Sequence, residues 1–303
     1  MADHEGDHAD PFDPAHLFEH VQDSEHFEVP MSLGTGGKIK LPQLDGDWTI
    51  LKVKTGVEPV DRLFLPLDLR LTKFMVLEAI VAIVMCVLFI RLANRMTQGG
   101  RPKGRAWNLL EAMVVFIRDQ VARPAIGHHD ADHFLPLLWT LFFFILGCNL
   151  LGLVPWAGSA TGALATTGAL ALIAFGTVIV AGSKKLGVIG FWKAQVPHMD
   201  LPKPIAILLV PGIFVIEVGG LFIKHFVLAV RLLANMMAGH LVLAVIVAFI
   251  AASSTSLAWW GVAPASVLGA IALNLLELFV AFLQAYIFTF LTALFIGMAV
   301  HPH

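Results

Sequence analysis

Eight polar side chains interrupt two long apolar stretches in the C-terminal third of the chain. They are Glu217, Lys224, Arg231, Asn235 and His240 in the first stretch and Asn274, Glu277 and Gln284 in the second. An arginine at the centre of a membrane helix costs about 2.5–3.5 kcal/mol on insertion scales, and such residues usually have a function. Because a guanidinium stays protonated in proteins, Arg231 is a fixed positive charge and not a proton carrier.

Helical periodicity places the first set on two faces. Glu217, Lys224 and Arg231 follow one another at seven-residue intervals, so they form one slowly drifting stripe, which Asn235 joins one turn later. His240 lies nine residues after Arg231, about 180° round the helix at about 100° per residue. His240 is therefore predicted to point away from the arginine.

The second apolar stretch carries its own polar stripe, because Asn274, Glu277 and Gln284 fall within about 80° of one another. Together, His240 and Glu277 supply an imidazole and a carboxyl, the group types that exchange protons in proteins. Small residues near the arginine would let another helix approach closely. They are Ala229, Ala234, Ala238 and Gly239.

Each of these residues also has a structural interpretation. Lys224 would snorkel to a membrane interface, and Glu217 would simply pair with it. Arg231 would belong to a structural ion pair. Asn235, Asn274 and Gln284 would act as hydrogen-bonding links between helices, and His240 and Glu277 taken singly are open to either interpretation.

The composition is that of a polytopic membrane protein. Of the 303 residues, 57% are hydrophobic and 14% are charged, against about 25% charged in soluble domains. The first fifty residues are different, with eleven Asp and Glu, five His, and only Lys38 and Lys40 as basic residues. We predict that residues 1–70 form an acidic, His-containing, partly disordered extracytoplasmic extension without a metal site, and that residues 71–303 form the membrane domain.

Basic loops set the predicted orientation. The segment "RLANRMTQGGRPKGR" after the first apolar run holds five basic residues and no acid, so the positive-inside rule places it in the cytoplasm and the N-terminus outside. The spans are predicted at about 74–92, 134–154 and 163–181. Lysines between 184 and 203 return the chain to the cytoplasm after the third span.

Two segments leave alternatives open. "AWNLLEAMVVFIRDQVA" has one broad apolar face, which fits a helix on the cytoplasmic membrane surface or a short amphipathic element packed on protein. Residues 205–252 are too long for one upright span, so they form two spans broken near Lys224 or one strongly tilted helix. A last apolar run covers about 265–300.

The motifs of other classes are absent from the sequence. We find no glycine-rich nucleotide loop, no metal-spaced Cys/His set and no internal repeat, so we expect no cofactor, no metal and no nucleic-acid partner. A secondary solute or ion transporter is the runner-up, although such proteins typically carry repeats around a midplane site. A purely structural anchor would not need a deep arginine with separate His, Glu and Gln positions.

Two long motifs, "RLLANMMAGH" and "LELFVAFLQAYIFTFLTALFIGMA", resemble the a subunit of F-type ATP synthases. "CNLLGLVPW" and the thirteen-residue gap between Glu217 and Arg231 support the resemblance, which covers roughly residues 70–300. It implies that Arg231 is the family's essential arginine, Asn235 its neighbouring asparagine and Gln284 the glutamine of the facing helix. His240 and Glu277 correspond to a pair whose identities are exchanged in some members.

The resemblance also implies an architecture and a role. The fold would be all-α, with about five membrane-crossing helices, a surface helix and a long tilted two-helix hairpin that faces the c-ring. By the same resemblance, the subunit would not be an enzyme on its own. It would conduct protons through two half-channels, with His240, Glu277 and Gln284 on the outer side and Glu217 on the cytoplasmic side. Implied partners are the c-ring, b-type peripheral stalk subunits and the lipid bilayer of a bacterial inner membrane, with the C-terminus in the cytoplasm.

Overall fold

The computed structural model describes residues 26–28, 38–40, 49–50, 67–68, 72–97, 104–154, 158–196, 203–254 and 256–301. For the four short segments before residue 72 and for residues 203–208, only the backbone is described. The prediction of a partly disordered extension over residues 1–70 therefore falls largely outside the described residues.

Two pairs of short antiparallel strands precede the helices. β1 (His26–Glu28) pairs with β2 (Lys38–Lys40), with Phe27 opposite Ile39. β3 (Thr49–Ile50) pairs with β4 (Leu67–Asp68). The sequence analysis did not predict these strands.

The membrane domain is helical. In chain order its helices are α1 (Lys73–Thr97), α2 (Arg105–Phe116), α3 (Arg123–Ile126), α4 (Ala131–Gly152), α5 (Leu164–Leu186), α6 (Val188–Ala194), α7 (Lys203–Ser253) and α8 (Trp259–Val300). A π-helical segment, Ile117–Ala122, joins α2 to α3, and a 3-10 turn, Ala160–Gly162, precedes α5. Five of these helices are long and apolar enough to cross a membrane: α1, α4, α5, α7 from Leu209 onward, and α8. The prediction of an all-α polytopic membrane protein is confirmed.

Residues 203–253 form one continuous helix, so the alternative of two spans broken near Lys224 is wrong. Pro211 lies inside α7 near its start, and the Gly219–Gly220 pair does not interrupt it. At about 1.5 Å per residue, the 51 residues of α7 extend about 76 Å, far more than a hydrocarbon core of about 30 Å. A helix of this length must tilt strongly or extend beyond the membrane. It packs against α8 to form a long two-helix hairpin.

Several helices are longer than their predicted spans, since α1 ends at Thr97 instead of about 92 and α5 ends at Leu186 instead of about 181. α8 begins at Trp259, six residues before the predicted start at 265, and includes Pro264 in its second turn. Pro264 removes only one backbone hydrogen bond near the start of α8, so the helix can begin before it. The basic segment after α5 contains the short helix α6, which the sequence analysis did not predict and which Gly187, with a φ of 75°, separates from α5.

The segment with one broad apolar face divides into two parts. α2 has no buried residues, and Leu109 is 61% exposed. The following π-helical segment packs on the protein, because Ile117 and Val121 are fully buried. One side of α2 also contacts the core through Met113 and Val114, and the Trp139 indole donates a hydrogen bond to the Val114 carbonyl at 3.0 Å. The segment is thus an amphipathic element packed on the protein by one side, and its membrane-surface position stays a prediction that rests on exposed residues such as Leu109.

The hydrophobic core lies where α4, α5, α7 and the C-terminal half of α8 meet. Its fully buried large side chains include Leu138, Ile145, Val178, Leu228, Leu232, Phe288 and Ile296. The N-terminal half of α8, α1 and one face of α7 are largely exposed and apolar. These exposed faces must be covered by lipid or by other subunits, because water would disfavour so much apolar surface.

Candidate functional site in the α7–α8 hairpin

The Glu277 side chain of α8 packs against α7 at Gly239. The half-buried Glu277 carboxylate lies where a side chain at position 239 would stand, and an added Cβ there would overlap it. Gly239 directly precedes His240 in α7. The structure therefore brings Glu277 next to the segment of α7 that bears the His240 imidazole.

His240 has an incompletely satisfied ring. Its Nε2 atom is shielded from solvent and has no hydrogen-bond partner among the described residues. The Lys73 ammonium, at the start of α1, is close enough to act electrostatically on the ring. No direct His240–Glu277 hydrogen bond is formed within the described part of the chain. A water molecule or a shift of either side chain would be needed to pass a proton between them.

Arg231 lies on the opposite side of α7 from the protein core. Its side chain is exposed, whereas the adjacent Leu232 is completely buried. Its exposed neighbours along this face are apolar, with Val227 at 44% and Val230 at 36% exposure. Among the described residues, no carboxylate lies within ion-pair distance of Arg231. The structural interpretation of an internal ion pair is therefore not supported.

The other polar residues of the hairpin occupy different environments. Asn235 is half-buried, and Asn274 is exposed with its amide donating to the Ala270 carbonyl at 3.0 Å within its own helix. Gln284 is only 3% exposed, and its Nε2 has no partner in the described part of the chain. The polar stripe of α8 thus begins at the surface and ends in the core, because only the C-terminal half of α8 is covered by other helices. The structure does not bring Gln284 to the exposed surface that carries Arg231.

Glu217 and Lys224 lie on α7 before Arg231, half-buried and exposed respectively. The described residues contain no ion pair between them, so the simple pairing considered from the sequence is not formed. Both side chains remain open to partners outside this chain.

A buried polar network lies beside α8 and was missed by the sequence analysis as a candidate site. Thr161 donates to Asn149 Oδ1 at 2.7 Å, and its hydroxyl also shares a hydrogen bond with Ser159 at 2.9 Å. The Asn149 side-chain amide donates to the Ala281 carbonyl at 3.4 Å. Ala281 lies between Glu277 and Gln284 in α8. The signal in the sequence was an asparagine inside an apolar run. Its partners come from a separate loop, so spacing could not reveal the network.

A second polar contact joins α1 to α5. Thr166 donates to the Glu78 carboxylate at 2.5 Å, and both side chains are half-buried. Lys73, one turn earlier in α1, is only 4% exposed and lies close to Gly158 in the loop before α5. These groups occur at the same end of the helices as His240 and Glu277. This end of the molecule is therefore much richer in polar side chains than the apolar sequence suggests.

Ion pairs secure the opposite end of the bundle. Lys185 of α5 donates to Asp130 Oδ2 at 2.9 Å, and His301 Nε2 lies 3.2 Å from the same oxygen. The hydrogen bond from Lys185 lowers the pKa of Asp130 below its ordinary value. Similarly, Arg118 donates to Asp119 and lowers the pKa of that carboxyl. Asp130 thus joins the start of α4 to the end of α5 and lies next to His301 at the end of α8.

Fold and site together define a polytopic membrane protein with ionisable groups at membrane depth. Residues 75–297 match the ATP synthase A chain family. The chain is 43% identical over 240 residues to ATP synthase subunit a of Myxococcus xanthus (strain DK1622). This alignment covers 78% of this chain and 76% of that protein. It is 36% identical over 302 residues to ATP synthase subunit a of Anaeromyxobacter sp. (strain Fw109-5), covering 95% and 70% respectively.

A third relative, ATP synthase subunit a of Chloroherpeton thalassium (strain ATCC 35110 / GB-78), is 43% identical over 236 residues, or 77% of this chain and 67% of that protein. The chain belongs to the ATP synthase A chain family. It is a membrane subunit of a proton-translocating ATP synthase and not itself a catalytic subunit, as the two motifs predicted. The transporter alternative is wrong.

Proposed function

We propose that this chain is the stator subunit that conducts protons to and from carboxylates on a rotating c-ring. The observation that carries the proposal is the exposed Arg231 on an apolar face, with no carboxylate partner in the described part of the chain. A charge so placed in a membrane needs a partner on another protein. Carboxylates that pass the arginine one after another would provide it.

Arg231 would act on each rotor carboxyl in turn. A neutral carboxylic acid can face lipid, but a fixed positive charge favours the ionised form, so the proton leaves as the group reaches the arginine. Because the guanidinium also repels hydrated protons, it separates the two half-channels and prevents a leak. A membrane potential contributes about 2.3 kcal/mol per charge per 100 mV to this transfer.

The outer half-channel would use His240, Glu277 and Gln284. The contact of Glu277 with Gly239 and the open Nε2 of His240 support a relay in this region. The buried position of Gln284 suits the inner end of a proton path better than direct contact with the rotor. Asn235, half-buried one turn after Arg231, would help to orient the guanidinium, and Asn274 is a secondary candidate.

The cytoplasmic half-channel would use Glu217, with Lys224 as a secondary candidate. Both lie on the same stripe of α7 as Arg231, and neither is paired with the other. A proton released at the arginine would leave along this stripe. The two paths are offset because the outer groups lie near the opposite end of α7.

The orientation follows from the basic segments. With "RLANRMTQGGRPKGR" in the cytoplasm of a bacterium, the N-terminus lies outside and the C-terminus inside the inner membrane. We propose that b-type peripheral stalk subunits contact the chain away from the hairpin. The acidic extension over residues 1–70 would not take part in proton transfer, so deletion of residues 2–30 should leave proton pumping nearly intact.

Photo-crosslinking in the assembled synthase tests the rotor contact. A photoreactive residue at the exposed Ala234, one turn from Arg231, should crosslink to the small hydrophobic ring-forming subunit. The matched position is Ile83, which is 63% exposed on α1 and away from the hairpin. Crosslinking of the ring at Ile83 but not at Ala234 would contradict the proposed surface.

A further inference from the structure

A groove of about 670 Å³ opens between α4 and α5, with Val300 at the end of α8 also in its wall. Its volume is within the range of small-molecule sites, about 300–1,000 Å³. The groove has polar residues at one end and mostly apolar walls along the rest. The lining includes Asp130, His133, Phe134, Leu137, Ile173, Gly176, Thr177, Val180, Lys184 and Lys185.

The groove has the length of one membrane leaflet. Ile173 and Lys184 mark its two ends on α5, eleven residues apart. At about 1.5 Å per residue this separation is about 16 Å, close to half of a hydrocarbon core of about 30 Å. The polar end therefore lies at a membrane surface and the apolar end near the bilayer midplane.

The polar end carries an uncompensated positive charge. Lys185 is neutralised by Asp130 at 2.9 Å, and His301 Nε2 lies 3.2 Å from the same carboxylate oxygen. Lys184 is exposed, and among the described residues no carboxylate lies within 4.0 Å of its ammonium. Together with His133, Lys184 presents hydrogen-bond donors to an anion at the mouth of the groove.

The deeper part of the groove is open and without free polar groups. A Cβ added to Gly176 would meet no atom within 4 Å. The hydroxyl of Thr177 is already satisfied by the Ile173 carbonyl at 2.8 Å. Phe134 and Leu137 of α4 and Val180 of α5 complete the apolar walls. This shape fits an extended hydrocarbon chain and gives a free phosphate no partner below the rim.

We propose that this groove binds one anionic phospholipid, with its phosphate at Lys184 and His133 and an acyl chain along Gly176. Basic pockets between membrane helices are suited to anionic headgroups. The site is separate from the proposed proton path and does not depend on it. In the orientation given above, the lipid belongs to the cytoplasmic leaflet.

The test uses the complete ATP synthase in nanodiscs with a photoactivatable diazirine group on the lipid acyl chain. Phosphatidylglycerol and phosphatidylcholine carrying the same group are compared, and labelled peptides are identified by mass spectrometry. We expect phosphatidylglycerol to label residues 173–181 and 134–137 more strongly than phosphatidylcholine. Lys184→Gln should reduce this preference about fivefold, the effect of one lysine near an anionic lipid. Gly176→Leu should abolish labelling of the groove by filling it.

The matched control is Lys193→Gln, which removes an exposed lysine from α6 outside the groove and should leave the preference unchanged. Labelling of the exposed face of α1 provides the internal standard in every sample. Equal labelling by both lipids, unaffected by Lys184→Gln, would mean ordinary bilayer contact. Labelling of α1 without labelling of the groove would mean that another subunit covers it. Either result would overturn the proposal.

Discussion

The Glu277 carboxylate of α8 packs against the backbone of α7 at Gly239, in the space that any larger residue would fill. This contact fixes the height at which the acid meets the helix that carries His240. It also explains why a glycine stands beside the histidine. Because Gly239 has no side chain, the Glu277 carboxylate can come close to the part of α7 that bears His240.

Gly239→Ala should impair proton conduction, because the new methyl group would displace the Glu277 carboxylate or push the helices apart. Gly220→Ala, in the same helix, is the matched control, since a Cβ there meets no atom within 4 Å. Proton flux through reconstituted synthase is the measurement. Equal flux in the two variants would show that the position of Glu277 is not critical.

His240 and Glu277 should behave as one functional unit. If they share one proton path, removing both should cost little more flux than removing the more important one. The exchange His240→Glu with Glu277→His should restore more activity than either single change, because one acid and one imidazole are again present. Proton flux in vesicles distinguishes the cases. Additive losses without recovery in the exchanged variant would mean that the residues act independently.

His225 is a buried histidine outside the proposed proton path. We expect it to stabilise the packing of α7 against α5 and α8. Its Nδ1 donates to the Leu221 carbonyl at 2.9 Å, and its ring contacts Phe175 of α5 and Phe295 of α8 at centroid distances of 5.2 and 4.9 Å. His225→Ala would leave a cavity and should cost about 2–5 kcal/mol, as for other large core residues.

The control for this prediction is His225→Phe. It keeps the ring contacts but removes the Nε2 atom, which has no partner in the described part of the chain, and the Nδ1 hydrogen bond to Leu221. Because one such bond contributes about 0.5–1.5 kcal/mol, His225→Phe should destabilise the protein much less than His225→Ala. Thermal unfolding of the solubilised complex provides the measurement. If His225→Phe were as damaging as His225→Ala, the imidazole itself and not its volume would be required.

Asp130→Asn should weaken the attachment of the end of α5 to the start of α4 at neutral pH. The pKa of Asp130 is lowered in the folded protein, chiefly by the hydrogen bond from Lys185. Its ionised form therefore stabilises the fold above the ordinary carboxyl pKa of about 3.9, and this stabilisation is lost as the pH falls through the lower folded-state pKa. The difference in thermal unfolding between wild type and variant should be present at pH 7 and disappear on acidification.

The matched variant is Asp132→Asn. Asp132 is 61% exposed and lies 3.8 Å from Arg123, so its loss should have a smaller effect at every pH. An effect of Asp130→Asn that stays constant from neutral to acidic pH would exclude the carboxylate charge as its cause.

The helices and the polar stripes were predictable because both depend on periodicity within one segment. The separation of Arg231 from His240 followed from the nine residues between them, and the exposed arginine and shielded imidazole agree with it. Contacts between distant segments were not predictable. The hydrogen bond of Asn149 to Thr161 and that of Glu78 to Thr166 depend on how the helices pack, which one sequence does not specify. The burial of Gln284 was missed because periodicity gives its face but not what covers that face.

The most direct measurement is proton-driven ATP synthesis by the assembled complex carrying Arg231→Ala or Arg231→Lys. Because Arg231 is exposed and unpaired within the described residues, both variants should insert and assemble normally. We expect neither to synthesise ATP, since alanine removes the charge and lysine can lose its proton and lacks the planar guanidinium. Normal synthesis coupled to a proton gradient in either variant would contradict the proposed role of the arginine.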